Sequence, residues 1–189
     1  MQPIDAALSF LIVHAALGGF DTVVNHEWRE HLPRRPQAAR ELALHATRSL
    51  MFSVIFLGCA WLEWHGAWGW AMLGLMAAEF AVTLLDSVVE DRTRRLSRLE
   101  RVNHMLLALN TGVYMAFFAA QVATRWAELP TRLVPAQHLP ILAWLLTLAA
   151  VGVIAWTVRD GLAARRLSVR PGLSGYPARR DAREVSSLS

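Results

Sequence analysis

Lysine is missing from this chain: all 19 basic side chains among its 189 residues are arginine. A bias that complete points to a GC-rich bacterial coding preference and carries no function by itself. Charge is scarce as well, at 18% of residues, against roughly 25% in ordinary soluble domains. Cysteine is reduced to Cys59, which excludes an intramolecular disulfide framework and any Cys-x-x-Cys site. A Gly-rich phosphate loop, a His-Glu-x-x-His zinc motif and a Gly-x-Ser-x-Gly nucleophile elbow are likewise lacking, as are the many-histidine boxes of membrane desaturases. The pI near 10.5 is not matched by a basic face interleaved with aromatics, so no nucleic-acid partner is expected.

What fills the chain is apolar. Hydrophobic residues make up 54%, and tryptophan occurs eight times; mean hydropathy is +0.31. Apolar windows at 6–25, 42–64, 66–89, 102–124 and 139–158 each approach the roughly 20 residues that a helix needs to cross hydrocarbon. The expected fold is all-α, an integral membrane protein of five transmembrane helices occupying 1–167, with 168–189 as a disordered cytoplasmic tail rich in Pro, Gly, Ser and Arg. The opening stretch MQPIDAALSF lacks the positive flank of a cleaved signal, so its apolar run reads as a retained first span.

Arginine sets the expected orientation. The successive connections carry zero, four, zero, five, two and seven arginines. Under the positive-inside rule this alternation puts the N-terminus outside and the C-terminus in the cytoplasm of a bacterial inner membrane. Trp61, Trp64, Trp68 and Trp70 gather at the Arg-poor turn, where an outer aromatic belt belongs. Pro130, Pro135 and Pro140 break the chain before the fifth span and are expected to hold that helix apart from the first four.

Polar residues inside the spans carry the functional signal, because a charge at mid-membrane costs about 2.5 to 3.5 kcal/mol on insertion scales and such groups turn inward toward partners. DTVVNH at 21–26 matches DSVVED at 86–91, and Glu41-x-x-x-His45 matches Glu100-x-x-x-His104. These matches define two repeated hairpins, 6–64 and 66–124, expected to form a pseudo-symmetric bundle about an axis along the membrane normal. The fifth helix at 139–158 stands outside the repeat. At 3.6 residues per turn, Glu79, Asp86 and Glu90 share one helix face, and each Glu-x-x-x-His pair stacks one turn apart.

Carboxylates that bridge and balance charge, with imidazoles completing the coordination, are what a pair of hard or borderline metals requires. Asp21, Glu41, His45, Asp86, Glu90, Glu100 and His104 are the candidate ligands, with His26 a possible addition. The expected cofactor is two transition-metal ions, iron first, with manganese or zinc as options. Di-iron chemistry would suit O2-dependent hydroxylation or desaturation of a lipid-like substrate drawn from the surrounding membrane lipids. His14 and Glu79, deep in spans one and three, are the candidate catalytic pair, as an extra ligand or a proton donor. Two other readings stand beside this one. His14 and Glu79 would be steps of a proton or metal-ion conduit, or the acids would pair with Arg40, Arg48, Arg94 or Arg101 and hold together a non-enzymatic scaffold.

The segments DTVVNHEWREHLPRR and ERVNHMLLALNTG resemble small bacterial multi-span membrane proteins without an assigned activity. The resemblance implies a helical membrane fold over spans one to five and leaves the chemistry to the residues.

Overall fold

Five helices long and apolar enough to cross a membrane make up most of the computed structural model, which describes residues 2–93 and 95–169. Helix α1 (Pro3–Phe20) opens with proline at a position where its missing N–H is not needed, and Asp5 accepts the Gln2 backbone N–H at 2.9 Å. It continues without a break into a π-wound extension, Asp21–Arg29, whose last turn is closed by the Glu30 N–H donating to the Asn25 carbonyl at 2.9 Å. His31, left-handed at φ 48°, and Pro33 end the run. Helices α2 (Ala39–Trp61), α3 (Ala67–Thr93), α4 (Arg98–Gln121) and α5 (Pro140–Ser168) follow. At the start of α4, Ser97 Oγ accepts the Glu100 N–H and the Glu100 carboxylate accepts the Ser97 N–H, a reciprocal cap that fixes where Glu100 sits.

Packing joins α1 to α4, and α2 to both α3 and α5. All five helices feed one apolar core, with Leu8, Leu11, Phe56, Met76, Phe118 and Leu146 almost fully sealed from the exterior. Helix α5 is therefore not held apart: its contact with α2 is the most extensive helix pairing in the molecule. The proline-rich connection does not isolate it, because Leu133–Pro135 (β2) folds back as a short antiparallel strand against Leu62–Trp64 (β1). Trp61 Nε1 donates to Thr147 Oγ1 at 3.0 Å, fastening α2 to α5 at that end.

Helix α5 also runs ten residues past the end of its apolar window. Arg159 and Asp160 stop the hydrophobic run without stopping the helix, since Arg159 pairs with Glu27 on the α1 extension and donates to Asp160 at 2.6 Å. Ser168 closes α5, and the expected tail beyond Val169 lies outside the described residues.

Candidate metal centre

A π turn explains how the α1 extension presents three polar side chains inward. With i to i+5 hydrogen bonding, residues four and five positions on both return to the same side, and Asp21, Asn25 and His26 are all buried. Asn25 Nδ2 donates to Asp21 Oδ1 at 2.7 Å, which fixes the aspartate for its other contacts. Ordinary α winding would have swung His26 away from Asp21.

Helices α2, α3 and α4 complete the cluster. Glu41, Asp86, Glu90 and Glu100 are each 1% exposed, and His45 is 7% exposed. Two groups of four side chains have ligand atoms that all lie within 4.8 Å of one another: His26, Glu41, His45 and Glu90 in one, and His26, Glu90, Glu100 and His104 in the other. Each Glu-x-x-x-His pair contributes whole to one group. Glu90 belongs to both, and its two oxygens face apart: Oε1 is 3.9 Å from His45 Nε2, while Oε2 is 3.5 Å from His104 Nδ1. A carboxylate so placed has the form of a bridge between two coordination sites. His26 lies between them, its Nε2 3.9 Å from Glu90 Oε1 and 3.8 Å from Glu100 Oε1, and its ring stacks on that of His45 at 4.4 Å.

The two aspartates occupy a different position. Asp21 Oδ2 is 3.1 Å from His104 Nε2, and Asp86 Oδ2 is 3.0 Å from His45 Nε2. At His104 the aspartate meets Nε2 while Nδ1 faces Glu90, as carboxylates behind metal-ligating imidazoles do, whereas at His45 the same Nε2 faces both Asp86 and Glu90. Neither aspartate belongs to a four-residue group.

Of the arginines expected to neutralise these acids, Arg48 does so in part, reaching Asp86 at 2.9 Å and Glu79 at 3.4 Å. Arg40 and Arg101 are exposed, and Arg94 lies outside the described residues. Glu79 also accepts from Thr83 Oγ1 at 2.7 Å, so it is engaged on its own helix and on α2. His14 is set differently. It packs between the rings of Phe52 and Tyr114 at 4.8 and 5.4 Å, and its Nδ1 is buried with no hydrogen-bond partner among the described residues.

A cavity of about 250 Å³ adjoins the cluster between α1, α2 and α5. His26, His45 and Asp21 line it together with His14, Phe52 and Asp160. Asp160, 2% exposed, brings α5 to the site. Sequence reasoning did not single it out, because it lies beyond the apolar window; the available signal was the adjacent Arg159–Asp160 pair on a helix otherwise free of charge since Pro140. No protein-family profile, curated protein or solved structure matches this chain.

Proposed function

We propose that this chain is an integral membrane protein holding two transition-metal ions, with iron the first choice, in the bundle of α1 to α4. The observation that carries the reading is the sharing of His26 and Glu90 between two compact ligand groups, each completed by its own Glu-x-x-x-His pair. Buried carboxylates demand compensation by cations or protons, and the mixture of carboxylate and imidazole suits iron, manganese or zinc. The arginine distribution supports insertion with the cluster at the cytoplasmic end. The α1–α4 and α2–α3 packing, with the crossed aspartate–histidine contacts, supports a pseudo-twofold relation between the two hairpins.

The reaction class is O2-dependent hydroxylation or desaturation of a lipid-like molecule. In hydroxylation one atom of dioxygen enters a C–H bond, and the other leaves as water after taking up two electrons and two protons from an external reductant such as a quinol. Iron would supply the oxygen activation. The chain's own part is to seal the site with apolar helices, to hold His45 and His104 by Asp86 and Asp21, and to offer the adjacent cavity for the substrate. His14, facing that cavity with a free nitrogen, is the polar group placed to act on a bound molecule.

A conduit for protons or metal ions is the rival. Glu79 is tied to Arg48 and Thr83, and one turn further along α3 the path meets Met76 and then Met72, both sealed in the core. That argues for local chemistry over transit. The direct experiment supplies the iron-loaded, reconstituted protein with reductant, dioxygen and extracted membrane lipid: oxygen consumption with a lipid gaining 16 mass units or losing 2 supports the proposal, and Glu79-dependent ion flux without lipid turnover defeats it.

A further inference from the structure

The cavity has a direction. Along α1 and its π-wound extension its lining runs from His14 to His26, and along α5 from Ala149 to Asp160, the latter about 17 Å of helix at 1.5 Å per residue. The end nearest the arginine-rich connections carries Asp21, His26, His45 and Asp160, whereas the end near the middle of the spans is walled mainly by Phe52 and Phe56, with His14 packed against the Phe52 ring. A polar pole and an apolar pole are thus ordered along the helix axis in the sense of a lipid of the leaflet next to the cluster.

The contact between α1 and α5 is slight compared with that of α5 on α2, so the cavity is least covered on that side. Gly18 and Gly19 on α1 and Gly152 on α5 line the cavity, and Gly19 and Gly152 are exposed on the outside of the bundle. A Cβ added at any of the three meets nothing within 4 Å. Their smallness therefore serves no close packing of helices; it leaves a gap facing hydrocarbon. Beside it, Trp156 Nε1, one turn from Asp160, is a buried hydrogen-bonding atom with no protein partner among the described residues. A wall built for hydrocarbon alone would not keep it, since an unpaired buried polar group costs about 1 to 3 kcal/mol.

We propose that a single-chain amphiphile with an uncharged oxygen-bearing head enters sideways from the membrane between α1 and α5. Its head lies toward His26 and Trp156, and its chain lies along Phe52 and Phe56. Arg48 also lines the cavity but is taken up by Asp86 and Glu79, so Asp21 and Asp160 at the polar pole disfavour a phosphate, and a volume of about 250 Å³, below the roughly 300–1,000 Å³ of common small-molecule sites, leaves no room for two acyl chains. The inference rests on the metal proposal for the consequence that the carbons next to the head face the metals, and stands without it as a binding site.

The test uses the full chain in vesicles of phosphatidylethanolamine and phosphatidylglycerol doped with decanol bearing a photoactivated diazirine near either its hydroxyl or its methyl end. The hydroxyl-end probe should label the peptides holding His26 and Trp156, and the methyl-end probe those holding Phe52 and Phe56. Gly152→Phe and Gly18→Leu should each cut this labelling at least tenfold, while Leu148→Phe on the exposed face of α5 leaves it unchanged. Labelling spread over the outer helix faces, or cavity labelling indifferent to Gly152→Phe, overturns the inference. Metal content measured on the same samples separates the two claims: cavity labelling in a protein that binds no metal keeps the inference and defeats the proposed function, and bound metal with outer-face labelling alone does the reverse.

Discussion

Asp21 Oδ2 lies 3.1 Å from His104 Nε2, so the π-wound end of α1 fixes the orientation of an imidazole on α4. The other ring nitrogen, Nδ1, is thereby turned to Glu90. An imidazole held by a carboxylate on one nitrogen and free to ligate with the other loses roughly 10- to 100-fold in metal affinity when the carboxylate is replaced. Asp21→Asn should therefore weaken metal binding by about that factor, read by chelator competition, without changing helix content. Unchanged affinity would remove Asp21 from any role behind the ligand.

Arg48 makes a separate, metal-independent prediction. It stands between Asp86 at 2.9 Å and Glu79 at 3.4 Å, both 1% exposed. Removing one partner of a buried ion pair costs about 3 to 5 kcal/mol because the remaining charge stays buried. Arg48→Met should show a loss of that order in mixed-micelle unfolding, with or without metal. A double variant that also carries Glu79→Gln should recover part of it. Equal stability of Arg48→Met and the parent would mean that the acids are satisfied elsewhere.

Much of this arrangement was legible in the sequence, for physical reasons that particular residues make plain. Five apolar windows gave five long helices, since length and hydropathy alone decide that. Glu41 with His45 and Glu100 with His104 converge as their one-turn spacing required. The closeness of His26 to Asp21 was not legible, because α-helical geometry turns residue i+5 away and only the π turn brings the two together. Asp86 meets His45 Nε2 at 3.0 Å without joining either four-residue group, a distinction that spacing along a helix does not carry. The role of α5 was missed for a similar reason. Its apolar window ends where Arg159 and Asp160 begin, yet Arg159 pairs with Glu27 and Asp160 is buried within the bundle, and the returning strand β2 draws the helix onto α2.

The turn between α2 and α3 tests orientation and packing together. Gly66 has φ +58°, its N–H donates to the Trp126 carbonyl at 2.8 Å, and an added Cβ would come within 2.8 Å of the Leu129 carbonyl oxygen. A residue with a side chain pays about 1 to 2 kcal/mol for the left-handed conformation alone, so Gly66→Ala should lower stability by at least that amount. Reporter fusions should read outside at Gly66 and cytoplasmic in the loops at 29–40 and 92–101. A cytoplasmic signal at Gly66 would invert the proposed topology.

Glu90 carries the central claim, since one of its oxygens faces His45 and the other faces His104. The most direct measurement is the metal stoichiometry of the detergent-purified chain, determined by mass spectrometry of the elements alongside protein concentration, for the parent and three variants. The parent should hold about two transition-metal ions per chain, His45→Ala and His104→Ala about one because each loses a ligand of one site only, and Glu90→Ala close to none because both sites lose the shared carboxylate. A folded parent that binds no metal, or a Glu90→Ala variant that retains both ions, would contradict it.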